Sequence, residues 1–391
     1  MSMVYGNVVD NGALWWDSIA GPSSLVADIQ CALAEGHSVI CNVTTALSYR
    51  WVFRDSIGHW LADRDVEVRH IDCNEEYCGE DITEFLLRQI RPDMMTEYLR
   101  RRSPQFMRDK GVLHGKMLWI RGVSPQYLRN WIQYISSYRS HDLEHGLLFM
   151  EVQSEPPMRL PPNLHFFDYS KYVRKDDLRL YASILVESYL QNEPSFVKQY
   201  AVELAAALCV TDGELVNDFL LHSEFIHEDP IEVLRQVVSD NYMDSPRGKE
   251  AGHPFRLLAE ENVGELNDRV WSAQLRVGYP RIEMERQALI RQWEAEIREA
   301  LNVQYYNERY DRGEYFTDYE KNRITNPYDV EVGMLCRMMT LRRYEDREQY
   351  MFYLSDPAER EWVHLMRDCR NDLAHLDRCD KEQFYRLLSK E

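Results

Sequence analysis

SSLVADIQCALAEGHSVICNVTT, residues 23–45, sets the fold class of the first half of the chain. Leu25, Ile29, Ala32 and Leu33 recur at helical spacing, and Gly36 follows as the C-cap. The run SVICNV (38–43) is short and apolar, bounded by Gly36-His37 and Thr44-Thr45, as a buried strand is. The alternation continues downstream with a helical stretch over 46–63, VEVRHI (66–71), a helix near 81–90 and KMLWIRGV (116–123). A helix near 125–138, GLLFMEV (146–152) and NLHFFDY (163–169) complete it. Strands alternating with helices predict a doubly wound α/β domain over 1–175, its mainly parallel sheet covered on both faces.

From residue 176 the strand signal stops. LRLYASILVESYL (178–190), FVKQYAVELAAALCV (196–210) and GELVNDFLLH (213–222) read as amphipathic helices. Residues 240–254 are turn-rich and predict a linker. These features divide the remainder into a helical extension and linker over 176–250 and an all-α domain over 251–391. Within the latter a helical pattern runs through 265–301, which Pro280 must kink or split. Residues 302–328, rich in Tyr and charge, read as an exposed loop whose Tyr305, Tyr306, Tyr310, Tyr315 and Tyr319 suit either a protein interface or packing on their own domain. Helices resume near 329–340 and 357–376.

A chain of 391 residues exceeds one ordinary core, and its 45% hydrophobic content is that of a folded protein. The 46 basic against 65 acidic side chains give a formal charge of −19, which repels polyanions and anionic lipid on average. Any nucleic-acid contact is therefore local. The N-terminal MSMVYGNVVDNGALWW has no basic segment leading into an apolar one, and no window approaches about 18 uninterrupted apolar residues. No membrane association and a cytoplasmic location are expected.

The turn after SVICNV is where a phosphate-binding loop would sit, with glycines and a lysine around the phosphates. Asn42-Val43-Thr44-Thr45-Ala46-Leu47 has neither, and the end of KMLWIRGV offers Arg121-Gly122 where a magnesium-binding acid is expected. The order of elements resembles a degenerate STAND-type ATPase core without Walker motifs. ATP hydrolysis, a cofactor and a metal are not expected. His70-x-x-Cys73-x4-Cys78 lacks the second ligand pair of a structural zinc site.

The last long helix opens with Asp356-Pro357-Ala358-Glu359, a cap acid followed by a proline at the first helical position. Trp362, Met366, Cys369, Leu373 and Leu376 fall on one apolar stripe. His364, Arg367, Asn371, His375 and Arg378 fall opposite it, with Arg370 on the flank, a face that reads as locally basic. Arg370-Asn371-Asp372-Leu373-Ala374-His375 resembles the R-N-x-x-x-H motif of the HEPN superfamily. The resemblance covers about 255–391 and implies a helical bundle of the kind found in bacterial defence and toxin systems. It implies catalytic roles for Arg370, Asn371 and His375 in metal-independent RNA cleavage, and the basic face itself makes Arg367 and Arg378 the expected nucleic-acid contacts. The resemblance also implies two motifs facing each other across a homodimer, or a hetero-oligomer with another such subunit.

The chemistry fits these residue types. RNA supplies its own 2′-hydroxyl nucleophile, a histidine moves the proton, and an arginine steadies the charge on phosphorus-bound oxygen. The plainer alternative is that Arg370 pairs with a carboxylate and His375 caps the helix. Arg100, Arg101 and Arg102, with Arg108, Lys110 and Lys116 and interleaved Tyr98 and Phe106, form a second basic cluster suited to a phosphate backbone or an acidic partner. Two readings stand: a protein-binding scaffold or sensor in a defence or toxin-type system, and an endoribonuclease acting through Arg370 and His375.

Overall fold

The computed structural model describes residues 11–43, 47–74, 77–103, 105–138, 145–154, 159–162, 164–241 and 252–390. Residues 44–46 of the turn after the first strand, and 242–251 of the expected linker, lie outside them. The chain divides into two compact units. The first holds residues up to Ala182 with Cys209–Asp218 and Val238–Glu260; the second holds Ser183–Leu208, Phe219–Val237 and Glu261–Glu391.

In the first unit β1 (Ser38–Asn42), β2 (Glu67–Asp72), β3 (Lys116–Arg121), β4 (Leu147–Val152) and β5 (Leu164–Asp168) form one sheet in the order β2-β3-β4-β1-β5. Every pairing is parallel. The interior strands β1, β3 and β4 are apolar almost throughout because both their faces are covered. β2 lies at an edge, where Glu67, Arg69 and His70 reach solvent. The main helices here are α1 (Ala20–Ala34), α2 (Arg50–Ala62), α3 (Ile82–Ile90) and α4 (Pro125–Tyr138). Ile40, Leu118 and Met150 share one core with Trp131 and Ile135 of α4. On the opposite face Phe53 of α2 meets Trp119 at 6.0 Å and Phe149 at 6.4 Å between ring centroids. The expected α/β arrangement is observed.

Downstream come α5 (Lys175–Tyr189), α6 (Ser195–Leu208), α7 (Gly213–Leu221) and α8 (Pro230–Asn241). They are followed by α9 (Val263–Gln292), α10 (Glu294–Asn302), α11 (Val332–Thr340), α12 (Pro357–Ala374) and α13 (Lys381–Ser389). α9 is not split at Pro280: it runs through the proline to Gln292, with Trp293 as its C-cap. Packing holds it there. The Trp271 indole donates to the Leu373 carbonyl at 3.0 Å, and the Arg281 guanidinium donates to the carbonyls of Leu387 and Lys390. At Gly278 a Cβ would stand 2.7 Å from the Phe384 ring, so only glycine lets α13 approach this closely.

Three expectations change in the second unit. Residues 302–328 are not all loop, because β6 (Tyr305–Asn307) and β7 (Arg312–Glu314) pair as an antiparallel hairpin, with Tyr305 and Phe316 buried. The unit is therefore helical with a hairpin rather than all-α. α12 is capped as expected, Asp356 Oδ1 accepting the Ala358 N–H at 2.9 Å, but it ends at Ala374. Leu376 then takes a left-handed φ of 64° and leaves the apolar stripe, 69% exposed, while Trp362, Met366, Cys369 and Leu373 stay buried. Among the described residues no helix is long and apolar enough to cross a membrane.

Candidate functional sites

The carboxyl ends of β1 to β4 open into a cleft of about 730 Å³. Ligands of α/β sheets bind in this position, outside the strand ends. Arg54 of α2 donates to Glu151 of β4 through Nε and Nη2, both at 2.8 Å. The Trp119 indole donates to the same carboxylate at 2.7 Å, and Glu151 is 5% exposed. At the next strand end Arg121 Nε donates to Asp72 Oδ2 at 2.9 Å, the two residues being register partners on β3 and β2. Gly122 follows with φ 75°, and a Cβ there would meet Asn74 at 2.6 Å, so the turn at the cleft's rim requires glycine. Burial, and then the Arg54 and Arg121 charges, hold the His70 imidazole below its ordinary value.

Sequence reading found Arg121 but missed Arg54 and Glu151. An acid in the otherwise apolar GLLFMEV run was the available signal. Its partner, 97 residues away, was not readable.

In the second unit α12 delivers Arg370, Asn371 and His375 to its C-terminal end. Arg370 Nη1 donates to Asn371 Oδ1 at 3.5 Å, and Nη2 faces Glu331 Oε2 at 3.3 Å. His375 is exposed, and its backbone N–H caps the helix on the carbonyls of Asn371 and Asp372 at 3.0 and 3.1 Å. Arg367 pairs with Asp368 at 2.6 Å and Arg378 with Asp229 at 2.7 Å. The face read as basic is thus charge-balanced, because carboxylates from the residues just before α11 and just before α8, and from α12 itself, meet each arginine. Burial first, then Asp368, Asp377 and Asp380, push the Asp372 carboxyl up, while His375 pulls it down.

Arg100, Arg101 and Arg102 are exposed in the first unit, Arg102 lying 4.0 Å from Glu84. Tyr98 and Phe106, interleaved with the cluster in sequence, are buried, 5.3 Å apart edge to face. Arg108, Lys110 and Lys116 pair with Asp109, Glu97 and Glu67. Of the histidine and cysteines near residue 70, His70 lies 5.8 Å from the Trp119 ring, Cys73 is buried and Cys78 is exposed.

No known family matches the chain, and no curated protein is similar to it in sequence. Among solved structures it is similar to Rif2 of Saccharomyces cerevisiae, at 10% identity over 64% of this chain and 96% of that one, with a TM-score of 0.29. Rif2 in complex with the C-terminal domain of Rap1 matches at 12% identity over 63% and 92%, with a TM-score of 0.29. Cdc6p of Pyrobaculum aerophilum matches at 13% identity over 94% and 93%, with a TM-score of 0.32. Likeness at this level carries no argument about function.

Proposed function

We propose that the chain is a non-catalytic protein-binding module, a scaffold or sensor, rather than a nucleotide hydrolase. The observation that carries this reading is the Arg54–Glu151 pair. For Arg54 to hold a phosphate in the strand-end cleft it would have to leave a doubly bonded carboxylate that is almost fully buried. Leaving such a carboxylate unpaired costs about 3–5 kcal/mol. A protein-binding role is supported by exposed Tyr310, Tyr319 and Tyr353. Arg309 and Arg312 lie 5.4 and 5.1 Å from the Tyr310 ring, and Arg360 lies 5.3 Å from that of Tyr353. Tyrosine and arginine are enriched at protein interfaces. Only the resemblance of residues 370–375 supports a bacterial defence or toxin setting. The purified chain should be inert with magnesium and ATP. A partner cross-linked to it in its native cells should be lost when Tyr310, Tyr319 and Tyr353 are together changed to alanine. ATP turnover that disappears in Arg54→Ala would refute the reading.

A second reading, metal-independent RNA cleavage, is favoured by the exposure of His375 one helical turn after Asn371 and close in sequence to Arg370. The Arg370–Glu331 pair is part-exposed and worth about 0–1 kcal/mol, so a phosphate can displace Glu331. Arg370 would hold the phosphate, Asn371 would orient it or the imidazole, and His375 would move the proton of the 2′-hydroxyl. His375→Ala and Arg370→Ala should each slow cleavage of an oligoribonucleotide in EDTA by about 10²–10⁴ without altering thermal melting. The corresponding DNA should survive. Intact RNA after prolonged incubation with the wild type would exclude this reading.

A further inference from the structure

We propose that the helical unit carries a small-molecule site for an amphipathic monoanion, an alkyl or aryl carboxylate of roughly ten heavy atoms, sized to an ordinary ligand pocket. The site is independent of whether the sheet cleft or the Arg370 motif turns anything over. It is a cavity of about 340 Å³ lined from α6, α8, α9 and α13. Tyr200, Phe225, Val270, Phe384 and Leu388 form its apolar wall, all buried, with Tyr200 and Phe384 edge to face at 4.9 Å. Gln274 is the buried polar side chain of the wall. Its amide bonds the Cys379 backbone at both ends, at 2.9 and 3.2 Å. The body of the ligand is therefore apolar, since sugar or phosphate groups against Phe384 and Leu388 would lie buried without partners.

The rim decides the sign of the head group. Asp229, Arg378, Asp380 and Lys381 stand there. Both carboxylates are engaged. Asp229 accepts the Ile231 N–H at 2.8 Å and the Arg378 guanidinium at 2.7 and 3.4 Å. Asp380 accepts the N–H groups of Glu382 and Gln383 at 3.0 and 3.1 Å, capping α13. Lys381 is exposed, and among the described residues no carboxylate lies within ion-pair distance of it. Arg378 neutralises Asp229 and the amino end of α13 offsets Asp380, which leaves Lys381 as the cation without a carboxylate partner beside the apolar wall, an arrangement suited to a carboxylate head and a hydrocarbon tail.

The test uses the full chain with octanoate, octylamine and octanol, followed by calorimetry and saturation-transfer NMR. Octanoate should bind, with octylamine and octanol at least about ten-fold weaker. Lys381→Glu, whose new acid suits the first turn of a helix, should reverse the preference between octanoate and octylamine. Ile226→Trp, which fills the cavity from its wall, should lose all three ligands, with its melting curve recorded alongside. The proposal is overturned if octanol binds as well as octanoate, if Lys381→Glu leaves octanoate binding unchanged, or if none of the three binds the wild type.

Discussion

Glu151 sits at the penultimate position of an apolar strand, with the Trp119 indole and the Arg54 guanidinium closed around its carboxylate. Truncating it leaves the arginine and the indole N–H without their acceptor at a position where the carboxylate is almost fully buried. Glu151→Ala should therefore lower stability by about 3–5 kcal/mol, read from the urea midpoint. A loss under about 1 kcal/mol would place the pair among ordinary surface contacts. Asp229 tests a second pair through pH. Burial pushes its carboxyl up, but hydrogen bonds from Arg378 and the Ile231 N–H outweigh this and hold it below the ordinary 3.8. The folded chain binds that proton more weakly than the unfolded one, so the stabilisation is fully present above about pH 4 and fades as pH falls through the depressed value. Asp229→Asn should lose most stability near neutrality, and its difference from wild type should shrink below about pH 4. A difference that stays constant from acid to neutral pH would show that the charge is not what matters.

At the scale of elements, α12 begins as its sequence dictates. Asp356→Ala removes the acceptor for the Ala358 N–H and should cost about 1 kcal/mol, visible as a lower melting temperature. An unchanged melting curve would mean that Pro357 and tertiary packing alone set the start of the helix. This beginning was legible because capping is local, and so were β1, β3 and β4, whose burial on both faces leaves uninterrupted apolar runs. The end of α12 was not legible. The apolar spacing continues to Leu376, but the Asp377 N–H returns to the Asp372 carbonyl at 2.9 Å and Leu376 turns left-handed. The β6–β7 hairpin was hidden for another reason: strands of three residues are too short to display a period of two. Pro280 does not split its helix because its local cost is outweighed by the contacts of Trp271, Gly278 and Arg281 with the C-terminal helices. Arg370, Asn371 and His375 were singled out by their resemblance to a motif, whereas the carboxylates that meet Arg370 and Arg378, Glu331 and Asp229, lie far away in sequence.

At the scale of the whole molecule, charge governs what the chain can meet. With a formal charge of −19, RNA and a second copy are both repelled beyond contact, and salt screens both repulsions over about 10 Å. The two associations still answer salt in opposite directions. An RNA held by Arg370 and a neighbouring arginine gains from counterion release, which weakens as salt rises, by about 0.7 logarithmic units per neutralised phosphate for each tenfold increase. Two copies meeting through an apolar contact lose only repulsion, so their association strengthens. Leu376, 69% exposed directly after His375, is the apolar group available for such a contact. The resemblance of residues 370–375 implies two motifs brought face to face in just this region. Sedimentation velocity should therefore show a dimer fraction that rises between about 50 and 300 mM salt, where the screening length falls below 10 Å. Leu376→Glu, which adds a charge to each side of a contact related by two-fold symmetry, should leave the chain monomeric at every salt concentration. If the wild type and Leu376→Glu sediment alike as monomers up to tens of micromolar, the motif does not work as a composite of two copies.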